Sequence, residues 1–299
     1  MSVPLDERLL TAAARLRVAG VESPRREARL LLAHVLGVKQ EDIVAGRIAH
    51  LSARALADFE AALARRAARE PLAYILGSRE FWSLDFAVGP GVLVPRPESE
   101  TLIEEALRRF PNPESPLRVL DLGTGSGCLL LAFLSERPNA TGAGVDISHD
   151  ALAIARRNAK ALNLDKRTLF IRSDWMKEIS GTFDAIFINP PYIAEGQLSR
   201  LEPEVARYEP GTALNGGADG LDAYRRAAAS LWRHLPPQGL AFFELGQGQA
   251  EPVKAILAEK GLRTDGTVYD LAGIPRCLVV GTPVDLPSKK ELALETRSG

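Results

Sequence analysis

Four stretches of this chain carry residue types whose spacing suits them to chemistry. The run Val119-Leu120-Asp121-Leu122-Gly123-Thr124-Gly125-Ser126-Gly127 passes from an apolar strand pattern through three alternate glycines into a helical pattern. Glycines between a strand and a helix let the backbone approach a ligand closely, with the helix N-terminus aimed at it. That context points to a bound nucleotide, and the Gly-x-Gly-x-Gly spacing leans away from the Gly-x-Gly-x-x-Gly of dinucleotide sites. About 20 residues further on, the next strand pattern ends in Asp146, where a carboxylate can accept from both hydroxyls of a ribose. The same acid would also serve as a cap for the helix that starts near Ser148. A third strand pattern ends in Ser173-Asp174-Trp175, an acceptor and a flat ring suited to an adenine amino group, or equally a turn aspartate and a core-edge tryptophan. The sharpest signal is Asn189-Pro190-Pro191-Tyr192 after the apolar run Ala185-Ile186-Phe187-Ile188. Two prolines stiffen the strand end and remove two N–H donors, leaving carbonyls to accept from elsewhere. The Asn189 side-chain oxygen and the Pro190 carbonyl are then two adjacent acceptors, a match for the two hydrogens of an –NH2 group, and Tyr192 offers a flat face for a planar amide or base.

These stretches need a scaffold that brings strand ends together, and the patterning supplies one. Strand patterns at Arg118–Leu122, Thr141–Asp146, Thr168–Ile171, 185–189, 240–245, 264–269 and 276–280 alternate with helical ones at 97–109, 127–136, 149–162, 219–234 and 250–259. Such alternation predicts a doubly wound, seven-stranded, mostly parallel α/β sheet whose last strand runs antiparallel because only a short loop precedes it. Ligands of such sheets bind at the carboxyl ends of the strands, where all four stretches fall. Residues 1–79 read as a small all-helical domain, with Leu5, Leu9 and Leu16 on one stripe, an N-cap at Ser23 before Pro24, a stop at Gly37 and a third long helix after Ser52. Residues 80–95 read as a β-hairpin linker turning at Gly89-Pro90-Gly91, residues 96–283 as the sheet domain and 284–299 as a loose tail.

Composition excludes several classes. Apolar residues make up 46% and charged residues 25%, so a sizeable core is available. Thirty-seven basic against 38 acidic side chains leave a net charge of −1, which argues against a chain that coats nucleic acid, and no stable nucleic-acid binding is expected. Cys128 and Cys277 make no disulfide framework, the four histidines have no ligand spacing, and no metal site is expected. No run approaches a membrane span, no signal-peptide order opens the chain, and a cytoplasmic monomer is expected. Gly246-Gln247-Gly248-Gln249 reads as a turn, Glu244 carries little weight, and Glu98 and Glu100 have no derivable role.

The glycine run 121–127 together with Asn189-Pro190-Pro191-Tyr192 resembles the class I S-adenosylmethionine-dependent methyltransferases that modify planar exocyclic or amide nitrogens. Further stretches narrow the resemblance: Pro71 to Gly77, Glu80-Phe81-Trp82, Val94-Pro95-Arg96-Pro97-Glu98-Ser99-Glu100, Arg207-Tyr208-Glu209-Pro210 and Gly216 to Leu221. In order and spacing they are similar to the peptide chain release factor glutamine-N5 methyltransferases over roughly residues 5–282. One departure is Ser99, where that family usually has Thr, and the hydroxyl is kept. The resemblance implies S-adenosyl-L-methionine as cofactor, its methionine part on Asp121, Leu122, Gly123, Thr124, Gly125 and Gly127, its ribose on Asp146 and its adenine on Asp174 and Trp175. Asn189 would lie beside the cofactor as well. It implies that Asn189 and Pro190 accept the two hydrogens of a glutamine amide, with Pro191 and Tyr192 packing its plane. The substrate would be the Gly-Gly-Gln glutamine of class 1 release factors, the helical domain contacting the rest of that protein. A nucleic-acid amino-group methyltransferase, acting on adenine N6 or guanine N2, is the alternative; a binding module without catalysis ranks third.

Overall fold

The computed structural model describes residues 4–48, 50–270 and 272–282, so the tail expected at 284–299 lies outside the described residues. The chain divides into two compact units. One contains α1 (Leu5–Val18), α2 (Pro24–Leu36), α3 (Gln40–Val44), α4 (Ala53–Ala67) and α5 (Leu72–Leu76). Leu16, Leu31, Leu32, Phe59 and Leu63 are buried at their centre, each reaching the core from the apolar stripe of its helix. Gly37 ends α2 in the left-handed conformation at φ 65°, as its position after the stripe suggests. Ser52 caps α4 by accepting from the Ala55 N–H, whereas the Ser23 side chain makes no such bond.

A two-stranded ribbon follows, β1 (Ser78–Phe81) and β2 (Leu84–Ala87). Its turn is Trp82-Ser83 and not the expected Gly89-Pro90-Gly91. Both turn residues take φ 55°, the conformation of a two-residue type I′ hairpin, which ordinarily selects Asn or Gly. Outside support holds them there: Glu100 accepts the Trp82 backbone N–H at 2.8 Å and Glu136 accepts its indole N–H at 2.8 Å. Glu100 therefore has a structural role that its sequence motif did not disclose.

The second unit is built on β3 (Arg118–Leu122), β4 (Thr141–Asp146), β5 (Thr168–Arg172), β6 (Ala185–Ile188), β7 (Leu240–Glu244), β8 (Arg263–Tyr269) and β9 (Pro275–Gly281), ordered β5-β4-β3-β6-β7-β9-β8. The first five strands are parallel and β9 inserts antiparallel between β7 and β8, pairing Glu244 with Cys277. The helices that follow the ribbon are α6 (Glu100–Arg109), α7 (Cys128–Ser135), α8 (His149–Ala161), α9 (Pro203–Tyr208), α10 (Asp222–Leu231) and α11 (Ala250–Glu259), all of the second unit except α9. Both sheet faces are buried, and alternate strand residues feed two cores. Val119, Phe187 and Phe242 enter the one with α6 and α7, while Leu120, Ile186, Ile188 and Phe243 enter the one with α10 and α11. The strand order reverses between β3 and β6, so the glycine loop and the Asn-Pro-Pro-Tyr segment leave neighbouring strand ends at the switch point.

One segment departs from its expected unit. Residues 200–209, with α9, cluster with the N-terminal helices. Arg66, only 5% exposed, pairs with Glu27 at 2.5 Å and with Glu204 at 2.9 Å, and Arg69 pairs with Glu202 and Glu204. Among the described residues, no helix is long and apolar enough to cross a membrane.

Candidate active site

The glycine loop folds back on the sheet through backbone bonds. Gly123 and Thr124 both donate to the Val145 carbonyl at 2.8 Å, and Gly127 donates to Thr124 at 2.7 Å. Gly123, Gly125 and Gly127 all take positive φ (74°, 53° and 82°), which a side chain would oppose. At Gly127 a Cβ would also press on Leu131 and Ala155, 3.2 and 3.3 Å away. Asp146 closes the loop: one carboxylate oxygen accepts the Gly125 N–H at 3.0 Å and the other the Ser148 N–H at 2.9 Å. Each oxygen keeps a free lone-pair direction for a ligand hydroxyl.

Around this loop lies a cavity of about 640 Å³, within the range of small-molecule sites. Leu122, Gly123, Thr124, Gly125, Asp146, Asp174, Trp175, Asn189, Pro190 and Pro191 line it, so the structure brings most of the sequence-derived site residues to one cleft. Asp121, Gly127 and Tyr192 lie outside that lining. Asp121 is 1% exposed and accepts from the Thr124 hydroxyl at 2.6 Å, directly behind the cavity floor. Burial pushes its carboxyl up to about 7, against the bonds from Thr124 and the Leu130 N–H and with the help of the Asp146 charge.

Asp174 is already engaged. Hydrogen bonds and charge from Lys177 and Arg226 hold its carboxyl below the usual carboxylate range, and the Arg226 guanidinium lies 5.6 Å from the Trp175 ring centre. Trp175 itself has φ 58°, a left-handed conformation for a bulky residue, in the wall of the cleft.

At the end of β6, Asn189 donates from Nδ2 to the Ser99 hydroxyl at 3.4 Å. Ser99 in turn donates to Glu244 at 2.5 Å, and the Tyr192 hydroxyl donates to the other Glu244 oxygen at 3.4 Å. Tyr192 does not face the cavity; its ring packs on the core, with Gly246 leaving the space it needs. Burial pushes the Tyr192 phenol up, and Glu244 adds to that. The loop after Tyr192 is pinned by Ile193, which donates to Leu214 at 3.0 Å and accepts from Gly216 at 2.8 Å.

Residues 7–77 match the family model for the PrmC N-terminal domain and residues 100–203 that for the methyltransferase small domain. The release factor glutamine methyltransferase of Rhodospirillum rubrum is 48% identical over 273 residues, covering 91% of this chain and 83% of that one. That of Caulobacter vibrioides is 41% identical over 290 residues, covering 96% of this chain and 100% of that one. The chain belongs to the release factor glutamine methyltransferase family.

In this release factor glutamine methyltransferase family member, the residues that sequence reasoning weighed too lightly stand behind the cleft. Glu244 is 4% exposed at the end of an apolar strand, and that burial pushes its carboxyl up to about 7. A charged residue closing the run Leu240-Ala241-Phe242-Phe243 was the available signal. Gly246 to Gln249 does form a turn, with Gln249 N–H on the Gly246 carbonyl, but the Gln249 side chain also donates to the Tyr192 carbonyl at 2.9 Å. Tyr224, fully buried, donates to the Glu244 backbone carbonyl at 2.9 Å. Cys128 lines the cavity as a thiol, pushed up to about 12 by burial, so it offers no thiolate at neutral pH.

Proposed function

We propose that this chain transfers a methyl group from S-adenosyl-L-methionine to the side-chain amide nitrogen, N5, of the Gly-Gly-Gln glutamine of class 1 release factors. The relatives named for that activity support the reading. The observation that carries it is the presence of Asn189 and Pro190 in the lining of the same cleft as the glycine loop and Asp146. The cofactor fits the residues present: a cavity of adequate volume, a glycine loop whose conformation excludes side chains, and a carboxylate with free lone pairs for a ribose. Leu122 to Gly125 would hold its methionine part with the Asp121 charge behind them, Gly127 shaping the turn, and Trp175 beside Asp174 would flank its adenine.

When bound, the cofactor supplies an activated sulfonium methyl. The chain's own residues have a positioning task. An amide nitrogen is a weak nucleophile because its lone pair is delocalised into the carbonyl. Acceptors at Asn189 and Pro190 grip its two hydrogens, draw positive character onto the N–H bonds and offset the charge that develops on nitrogen. No strong base is required, since the methylated amide is acidic until it loses its proton. Pro191 packs the amide plane, and Tyr192 acts from behind by holding the segment. The helical unit is the proposed surface for the remainder of the release factor. We further propose that the protein works as a cytoplasmic monomer without stable nucleic-acid binding.

The test offers labelled S-adenosylmethionine with a class 1 release factor, its Gly-Gly-Gln glutamine→alanine variant, bulk rRNA and DNA side by side. Label on the unmodified factor alone supports the reading. Label on nucleic acid alone would replace it with exocyclic amino-group methylation and leave the cofactor assignment standing.

A further inference from the structure

Asn189 can serve as an acceptor only if its amide oxygen, and not its NH2, faces the cavity. The two orientations have the same shape, so packing alone does not choose between them; the hydrogen-bond partners must. The partner is Ser99, itself part of the cavity wall, 3.4 Å from Nδ2. A serine hydroxyl has one proton, and here it is directed to Glu244 at 2.5 Å. An ionised carboxylate only accepts, and the second Glu244 oxygen takes the Tyr192 proton. With its proton spent, Ser99 can offer Asn189 nothing but a lone pair. The end of Asn189 toward Ser99 must then be the NH2, which leaves the oxygen of this cavity-lining amide as the end that can accept a substrate N–H.

We infer that Glu244 is a positioning residue which, through the Ser99 hydroxyl, fixes the Asn189 amide with its oxygen toward the substrate. The inference rests on the methyl-transfer reading and deepens it, because only an N–H substrate requires that orientation. Protonation of Glu244 on the oxygen toward Ser99, with Tyr192 still donating to the other oxygen, reverses the relay. A protonated carboxyl donates to Ser99, the Ser99 proton turns to Asn189, and the amide flips its NH2 into the cleft. Around Glu244, Arg276 favours the ionised form and Glu98 opposes it; Ser99 and Tyr192 donate to it; the Tyr224 phenol, on the Glu244 backbone carbonyl, also feels its charge; Cys277 lies opposite in register, with Cys128 also within its electrostatic reach. Burial outweighs these and brings the titration to about 7, inside the working range. The relay is thus set in its productive sense above neutrality and lost below it.

The experiment measures kcat and KM for a class 1 release factor at saturating S-adenosylmethionine between about pH 6 and pH 9. It compares the wild-type chain, Glu244→Gln and Ser99→Ala, with cofactor Kd from calorimetry at each pH so that Asp121 titration is read separately. In Glu244→Gln the amide oxygen still accepts from Ser99 and the NH2 can face Tyr192, so the shape is kept while the titration is removed. The expected wild-type kcat/KM falls toward tenfold per pH unit below an inflection near 7. Glu244→Gln shows no such inflection, and Ser99→Ala loses about tenfold at pH 8 with cofactor Kd unchanged, the size expected for one lost hydrogen bond. An inflection that survives in Glu244→Gln, or wild-type turnover in Ser99→Ala, overturns the inference while leaving the methyl-transfer reading intact. A wild-type chain that does not label the release factor sinks both.

Discussion

Replacing Asp121 by Asn should make the protein more stable above neutral pH and a poorer binder of its cofactor. Asp121 is 1% exposed, and burial carries its carboxyl from an ordinary 3.8 to about 7. Between those values the folded chain holds a proton that the unfolded chain has released. Stability therefore falls as pH rises through roughly 4 to 7 and levels off above that. At about 1.4 kcal/mol per pH unit, the span corresponds to on the order of 4 kcal/mol. Asparagine removes the charge and keeps the size. Its oxygen can accept the Leu130 N–H while its NH2 donates to a Thr124 lone pair, with the Thr124 hydroxyl proton turned to the cavity that Thr124 lines. Glu244 contributes a slope of the same sign to both proteins, so the informative quantity is the difference between them. Urea or thermal unfolding of the ligand-free proteins from about pH 4.5 to pH 8.5 should give coincident stabilities at the acid end. At the alkaline end Asp121→Asn should gain up to ~4 kcal/mol, roughly 10 °C in Tm for a unit of this size. Calorimetry should show S-adenosylmethionine, a cation at sulfur, binding the variant about tenfold more weakly because the charge behind Thr124 is gone. Unfolding curves that stay parallel across the range, or a variant less stable at pH 8, would refute the reasoning.

Three further substitutions probe other parts of the molecule. Asn189→Ala removes one of two acceptors and should lower kcat by about 10²–10³, read by methyl transfer to a release factor; turnover within a few-fold of wild type would be incompatible with the grip on the amide. Asp146→Ala frees the Gly125 and Ser148 N–H groups and should weaken cofactor binding by about 10²-fold in calorimetry, an unchanged Kd counting against the ribose assignment. Arg66→Ala leaves Glu27 without its buried cation and Glu204 with Arg69 alone, and should cost about 3–5 kcal/mol, with faster hydrogen exchange over residues 200–209; unaltered exchange there would show that Arg66 does not hold that segment.

Much of this architecture was legible in the sequence because it rests on local periodicity. Strand 141–146 is an apolar run closed by Asp146, strand 118–122 is one that carries Asp121 next to its end, and the helix between 141–146 and 168–172 carries a clean stripe. The glycine loop and the Asn-Pro-Pro-Tyr segment were legible because their residue types are demanded by backbone geometry. What escaped was decided by distant parts of the chain. Glu244 acquires its meaning from Ser99, 145 residues earlier, and no local pattern announces that pair. Tyr192 reads as a stacking face until the Glu244 carboxylate and Gly246 are seen to draw it behind the cleft. Residues 200–209 join the N-terminal helices through Arg66 and Arg69, more than 130 residues away. The hairpin turn was misplaced because Trp82 and Ser83, both bearing side chains, take a conformation normally left to glycine or asparagine, held by Glu100 and Glu136.

The most direct test of the central claim is to locate the transferred methyl group. A class 1 release factor incubated with the enzyme and S-adenosylmethionine is digested and the Gly-Gly-Gln peptide fragmented by tandem mass spectrometry, with Asn189→Ala as the parallel reaction. The account predicts one added methyl on the glutamine side-chain nitrogen, accumulating at least about a hundredfold more slowly with the variant. A methyl group on any other atom, or equal accumulation with Asn189→Ala, would contradict it.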